Sequence, residues 1–217
     1  KFPQPVSHED LSPGNPALAP FFHRLTPLFE AGRLGPLMLQ LPPNFGPGQL
    51  EALRVFLGAL PLSFSYAVEL RHICFFDQGR EEERVNGVLR DHGVDKVLFD
   101  SRPLYSRPPE YETEQISQAR KPRTPVRQTL TGNSPILRFI GRNTVDSIDR
   151  FIDQWIPIVA GWLADGRSPY LFMHTPDDAF APELARRFHE ALRQKVELAP
   201  LPSWPAHHPE GAQRSLF

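Results

Sequence analysis

The sequence of 217 residues is poor in cysteine and contains no long apolar run. Cys74 is the only cysteine, so no disulfide can form within the chain and an oxidising compartment is not needed. No run reaches the roughly 18 to 20 apolar residues of a membrane-spanning helix, and the first residues lack the apolar core of a signal peptide. These absences predict a cytoplasmic protein that does not associate with membranes.

An excess of charge is absent as well, with 24 Lys and Arg residues against 25 Asp and Glu residues. Strong direct binding to nucleic acid is therefore not expected, and any anion must be bound by a local group of side chains. The motifs G-x-S-x-G, G-x-x-x-x-G-K and G-x-G-x-x-G are all missing. A serine hydrolase, a nucleoside triphosphatase and a dinucleotide-binding protein thus lack support from motifs.

Five short apolar runs predict strands, and segments with helical periodicity separate them. The runs are nearly continuous rather than alternating, which is typical of parallel strands covered on both faces. They are Gly35 to Leu41, Tyr66 to Leu70, Lys96 to Phe99, Pro135 to Ile140, and Pro169 to Met173. The alternation of strand and helix predicts an α/β fold with a parallel sheet.

Other segments lack this pattern. Residues 102–134 have no strong period and are predicted to form a long loop. Glu81 to Glu83 are interpreted as a solvated first helical turn, and Trp155 and Trp162 as packing residues. Residues 1–197 are predicted to form one domain and residues 198–217 a Pro-rich tail.

Polar side chains recur where the apolar runs end. If the strands are parallel and form a barrel, all of these ends meet at one rim, where barrel enzymes place their sites. The residues concerned are Gln40, Glu69, Arg71, His72, Asp100, Arg138 and His174. This predicted convergence is the main argument for a functional site.

Glu69 and Arg71 are two residues apart on a predicted strand, so their side chains share a face. A buried pair of this kind is a candidate for proton transfer, and a structural ion pair such as Glu69 with Arg138 is the alternative. His72, His174, Asp100 and Glu69 could instead hold a divalent metal, although no ligand spacing supports one, and no cofactor is predicted. Arginine side chains match phosphate and carboxylate groups, which favours an anionic substrate.

Five ordered stretches resemble the YecE-like bacterial family, also called domain of unknown function 72. They are Gly35 to Pro43, Tyr66 to His72, Phe99 to Pro103, Arg138 to Gly141, and Phe172 to Asp177. The resemblance extends from Lys1 to about Gln194. It implies a (β/α)8 TIM-type barrel of which this chain supplies the last five βα units, with three further strands before Lys1.

The resemblance also implies candidate site residues. The motif positions are Lys1, His8, Gln40, Glu69, Arg71, His72, Asp100, Arg138 and His174. The sequence departs from the family at Cys74-Phe75-Phe76, where many members have an aromatic pair with tryptophan, and at His174, where asparagine is frequent. The second departure weakens a catalytic role for His174.

The last five residues, Gln213-Arg214-Ser215-Leu216-Phe217, resemble the peptide with which bacterial replication and repair proteins bind the sliding clamp. In that peptide a glutamine anchors the chain and a Leu-Phe pair enters an apolar pocket, so Gln213, Leu216 and Phe217 are candidate partner-binding residues. The alternative is that Leu216 and Phe217 fold back onto the barrel.

Two functions follow as hypotheses. The first is a barrel enzyme acting on an anionic or phosphorylated small molecule. Lys1, Arg71 and Arg138 would hold the anion, and Glu69, assisted by His72 or Asp100, would move protons. The second is an accessory protein brought to DNA by the sliding clamp. A free chain of five βα units is also expected to need the further strands for stability, because its sheet edges are open.

Overall fold

A computed structural model describes residues 1–202 of the chain. Within this part, five strands form one sheet in the order β1-β2-β3-β4-β5, and each neighbouring pair is parallel. The strands are β1 (Leu37–Gln40), β2 (Tyr66–Glu69), β3 (Asp95–Asp100), β4 (Ile136–Ile140) and β5 (Tyr170–His174). The predicted parallel α/β fold is confirmed.

The described part has a helix before β1 and one after each strand. The helices are α1 (Leu18–Glu30), α2 (Leu50–Gly58), α3 (Arg80–Asp91), α4 (Glu112–Arg120), α5 (Asp149–Ala164) and α6 (Ala181–Arg193). The sheet curls into a half-barrel. A Cβ atom on Gly35, just before β1, would lie 2.9 Å from the Tyr170 ring of β5, which shows how far the sheet curves. The closed eight-stranded form stays a prediction.

The two faces of the sheet have different surroundings. The concave inner face carries a small apolar layer formed by Met38, Ala67, Val97 and Ile136. The outer face is covered by helices and contains the two large apolar clusters, one around β1, β2 and α1 to α3 and the other around β4, β5, α5 and α6. The sheet thus presents its strand ends as a rim above a partly open inner face.

Glycines end three of the helices. Gly32, Gly93 and Gly166 follow α1, α3 and α5, and each has a positive φ between 62° and 74°. After α3, the Gly93 amide donates to the Arg90 carbonyl and the Val94 amide donates to the Leu89 carbonyl. This is the pattern by which a left-handed residue closes a helix.

The prediction for Glu81 to Glu83 is wrong at Glu82. Its side chain is buried and accepts hydrogen bonds from Lys96, Arg127 and the Gln78 amide. Burial by itself would raise the pKa of Glu82, but the Lys96 ammonium and these donors hold the pKa below its usual value. Glu82 therefore belongs to a buried ion pair that joins α3 to β3.

The prediction of a long loop at residues 102–134 is also wrong in part. The segment contains α4, whose one buried residue is Glu114. An apolar stripe is missing from this helix, so periodicity could not identify it.

The candidate clamp-binding residues Gln213, Leu216 and Phe217 lie outside the described residues. The start of the predicted tail is described, and there Leu198 packs against the cluster of α5 and α6. Among residues 1–202, none of the helices combines the length and the hydropathy that a membrane crossing requires.

Candidate functional site

The strand ends place a group of charged and polar side chains at the rim of the half-barrel, which we call the rim cluster. Its members are far apart in the sequence, between residues 1 and 174. They are Lys1, Gln40, Glu69, Arg71, Lys121, Arg138 and His174. Six of these seven were predicted from the sequence, and Lys121 was not.

Glu69 lies at the centre of the rim cluster and is almost fully buried, with 1% exposure. Arg71 Nε donates to its Oε1 atom at 2.9 Å, and Arg138 Nη1 donates to its Oε2 atom. The Glu69–Arg138 ion pair, which was the structural alternative to a proton-transfer pair, is therefore present. Because both oxygens accept from guanidinium groups, the carboxylate fixes the positions of the two arginines.

Arg138 extends across β3 to reach Glu69. It lies on β4 while Glu69 lies on β2, and its guanidinium carbon is 5.6 Å from the centre of the Phe99 ring on the strand between them. The Phe99 ring packs against the guanidinium group through a cation–π contact. A side chain braced in this way presents its remaining N–H groups in a fixed direction.

His174 ends β5 and lies beside Arg138, with 3.4 Å between its Nε2 atom and Arg138 Nη2. Arginine can only donate, so Nε2 is the acceptor and the imidazole is neutral. Burial, together with the positive charges of Arg138 and Lys121, lowers the pKa of His174 to about 4. His174 thus adds polarity to the rim cluster without adding charge at neutral pH.

Lys1 lies beside the first strand, where the Phe2 amide donates to the Met38 carbonyl at 3.0 Å. Its Nζ atom donates to Gln40 Oε1 at 2.7 Å. Partial burial lowers the pKa of Lys1, and the charge of Arg138 lowers it further. Gln40 supplies a neutral oxygen and does not cancel the lysine charge.

Lys121 directly follows α4 and was missed by sequence reasoning because it does not end a strand. It is half-buried near Arg138 and Arg71, and burial and these two charges lower its pKa. Glu69 and Asp178 act in the opposite direction but do not cancel the effect. The one available signal was the unusual length of the segment between β3 and β4.

The prediction that Asp100 opens onto the same mouth is wrong. Asp100 is adjacent to Phe99 on β3, and neighbouring strand residues point to opposite faces. Its carboxylate faces the helix layer, where it accepts from Arg102 and from Trp155 Nε1 at 2.8 Å. Trp155 accordingly has a hydrogen-bonding role in addition to packing.

The two other predicted histidines lie apart from the rim cluster. His72 Nδ1 accepts from the Cys74 amide at 3.3 Å and so caps a short helical turn, Ile73–Phe76, while its ring lies against Phe75. His8 is exposed and its Nδ1 atom lies 2.7 Å from Ser7 Oγ. None of these contacts connects either histidine to Glu69.

The divalent metal considered above finds no support in residues 1–202, where no three His, Cys, Asp or Glu side chains are grouped as metal ligands. The proposed ligand set is divided because Asp100 faces outward and Glu69 is occupied by arginines. Elemental analysis of the purified protein would test for a metal directly.

A groove of about 480 Å³ lies on the helix layer between α2 and α3. Charged residues of both signs line it, including Glu51, Arg54 and Arg84, and none of the rim cluster residues is among them. Since Arg54 pairs with both Glu51 and Asp91 at the surface of the groove, we assign the groove no function.

The chain is similar to known proteins along its whole described length. The family model described as "Protein of unknown function DUF72" matches residues 1–209. The chain is 40% identical over 219 residues to UPF0759 protein YecE of Escherichia coli K12, and also to that of Escherichia coli O157:H7. Each alignment covers 100% of this chain and 77% of the relative.

Two crystal structures of a DUF72 family protein from Enterococcus faecalis V583 share the fold. Their TM-scores are 0.61 and 0.59, at 12% and 16% sequence identity. The alignments cover 88% and 89% of this chain, and 70% and 73% of the solved chains. The sequence and family matches together show that this chain belongs to the DUF72 family, which includes the YecE proteins.

Proposed function

We propose that the rim cluster binds the anionic group of a small-molecule substrate, either a phosphate or a carboxylate. The observation that carries this proposal is the surplus of positive charge around Glu69. Arg71 and Arg138 already neutralise that carboxylate, and Lys1 and Lys121 add further positive charge. Within residues 1–202, neither of these lysines forms an ion pair, so an incoming anion would provide the missing partner.

The electrostatics of the two lysines support this proposal. Burial and neighbouring guanidinium groups lower the pKa of both Lys1 and Lys121, which means that their charged forms are held in an unfavourable environment. A bound anion relieves the repulsion and the desolvation together. Ionisable groups with shifted pKa values of this kind cluster at functional sites.

Guanidinium geometry further favours phosphate and carboxylate groups. Arg71 and Arg138 are both fixed by Glu69, and a fixed planar fork can donate two parallel hydrogen bonds to such a group. Gln40 and His174 at the edges of the rim cluster can hydrogen-bond to neutral parts of the substrate. The site therefore suits an anion that also carries polar substituents.

The enzyme hypothesis gives Glu69 a proton-transfer role, and the geometry favours a positioning role instead. Both of its oxygens accept from arginines, and its side chain is 1% exposed. A substrate proton has no direct approach to such an oxygen unless an arginine moves away. We assign to Glu69 the function of orienting Arg71 and Arg138.

Calorimetric titration with inorganic phosphate and with sulfate tests the proposal. We expect a single binding site in the wild-type chain, with affinity that falls as salt is added, because exposed charges are screened. Replacing Lys121 by methionine removes one charge and should weaken binding about tenfold, as for the loss of one charged hydrogen bond.

The matched control is Lys195→Met, which removes an exposed lysine after α6 and should leave the affinity unchanged. Absence of binding to the wild-type chain by either anion would overturn the proposal. So would equal affinities for the wild-type chain and the Lys121→Met variant.

A further inference from the structure

The segment between β3 and β4 supplies Lys121 to the rim cluster. Unlike Gln40 and His174, which end strands, and Arg138, which lies within β4, Lys121 follows α4 and is brought near Arg138 and Arg71 by the fold of this segment. Its position therefore depends on the contacts that hold α4.

A buried ion pair anchors α4. Glu114 is fully buried and accepts from Arg142 Nη2 at 2.6 Å, and Arg142 is 1% exposed. The Asn143 amide donates to the other oxygen of Glu114 at 3.2 Å. The first part of the segment is held by the same arginine, which donates to the carbonyls of Arg107 and Pro108.

The anchor joins α4 to two strands of the site. Arg142 and Asn143 follow β4, the strand that carries Arg138, after Gly141. Asn143 Oδ1 accepts from the Asp177 amide at 2.9 Å, which ties the anchor to the turn after His174. One network of hydrogen bonds thus connects α4 with the loops that follow β4 and β5.

A second contact fixes the end of α4 beside Lys121. The Tyr105 hydroxyl lies 2.5 Å from the Lys121 carbonyl oxygen and 2.7 Å from that of Gln118. The Tyr105 ring packs against an apolar group on the inner face of β3 and β4 that consists of Phe99, Leu104 and Ile140. The Phe99 ring in this group is the one that supports Arg138.

We propose that Glu114 is a positioning residue for anion binding, which holds the ammonium group of Lys121 in the rim cluster through its ion pair with Arg142. This inference rests on the proposed function. Glu114 itself does not touch the anion, because it is buried in the anchor. Its contribution to affinity must therefore pass through Lys121.

A double-mutant cycle tests this dependence with sulfate as the probe. We expect Glu114→Gln to weaken sulfate binding about fivefold to tenfold, and to have no further effect in a chain that already carries Lys121→Met. Coupling of this kind shows that one residue acts through the other, whereas independent sites give additive effects. The matched control is Glu112→Gln, which removes an exposed carboxylate from the same helix and should leave the affinity unchanged.

Tyr105→Phe is the second variant, because Glu114→Gln leaves Arg142 buried without its partner and could unfold the chain. It removes only the hydroxyl, and we expect a smaller loss of sulfate affinity that also disappears in the Lys121→Met chain. If the circular dichroism spectrum shows that the Glu114→Gln variant is unfolded, the double-mutant cycle with Tyr105→Phe tests the inference instead.

The inference is overturned if the folded variants bind sulfate as the wild-type chain does, or if their losses are the same with and without Lys121. Failure of the proposed function is distinguishable, since in that case the wild-type chain itself binds neither sulfate nor phosphate.

Discussion

At the scale of single residues, Glu82 and Lys96 carry opposite charges that are both buried. Replacing Glu82 by glutamine leaves Lys96 buried without its carboxylate, and breaking a buried pair typically costs about 3 to 5 kcal/mol. We expect a loss of this size in the free energy of unfolding, measured by urea denaturation.

The neighbouring Glu83 provides the control. Its carboxylate is 69% exposed and pairs with Arg90 at the surface, so Glu83→Gln should leave the free energy of unfolding nearly unchanged. Equal effects of the two substitutions would contradict the burial of the Glu82 pair.

His174 predicts a stability that falls on acidification. Its pKa of about 4 lies below the usual 6.5, so the unfolded chain binds a proton at pH 5 that the folded chain does not. The loss of stability begins as the pH falls below the pKa of the histidine in the unfolded chain. It is complete once the pH is below the pKa of His174 in the folded chain. Allowing for screening at the partly open rim, we expect a loss of about 1 kcal/mol between pH 7 and pH 5.

The His174→Asn variant removes this titration and leaves the other histidines in place. Its free energy of unfolding, measured at pH 7 and at pH 5, should change less between the two than that of the wild-type chain. Identical pH dependence in both chains would show that His174 titrates normally.

The sequence predicted which residues lie at or near the strand ends, although Arg138 lies within β4, but it did not predict which face each one occupies. In an alternating strand the apolar residues mark the buried face, whereas these strands are buried on both faces and carry no such mark. Asp100 was therefore grouped with Glu69, although it follows the inward-facing Phe99 on β3 and its side chain faces outward. The face of a polar residue in such a strand is known only from its contacts.

At the scale of secondary structure, the glycines of α3 have opposite roles. Gly93 ends the helix with φ of +62°, while Gly87 lies inside it, and a Cβ atom would meet nothing within 4 Å at either position. We expect Gly93→Ala to lower the free energy of unfolding by about 1 to 2 kcal/mol, because the left-handed conformation strains other residues.

Gly87→Ala should raise the same free energy by about 0.5 to 1 kcal/mol, since alanine loses less conformational entropy in a helix. Thermal unfolding of both variants compares the two effects directly. A stabilising Gly93→Ala substitution would contradict the helix ending described here.

Helix α4 shows why some elements could not be predicted from the sequence. Helices α2, α5 and α6 carry apolar stripes that pack on the sheet, and these stripes identified them. By contrast, α4 buries only Glu114 and is held by Arg142, which lies 28 residues further along the chain. The periodicity of apolar residues cannot predict a polar contact between residues so far apart in the sequence.

At the scale of the whole molecule, positive and negative charges are almost equal in number but are unevenly distributed. The net charge is −1, yet the rim cluster concentrates Lys1, Arg71, Lys121 and Arg138 around one central carboxylate. The balanced composition predicts no general attraction to polyanions. It could not show that a small anion would find a concentrated positive potential at one end of the sheet.

The clamp-binding hypothesis also belongs to this scale, and it rests on sequence alone. Deleting Gln213 to Phe217 should abolish binding to a bacterial sliding clamp in calorimetric titrations, because the deletion removes the glutamine and both apolar anchors. A chain carrying Arg214→Ala, which keeps those three residues, is the control. Unchanged affinity after the deletion would exclude the tail as the point of attachment.

Each of the five strands contributes to the rim cluster, either with a member or, in β3, with the ring that supports Arg138. No fragment that lacks a strand can reproduce this arrangement. Anion binding should consequently require the fully folded chain, because any partial unfolding separates the side chains of the rim cluster. By mass action, an anion that binds only the assembled chain raises its melting temperature in proportion to the logarithm of the anion concentration.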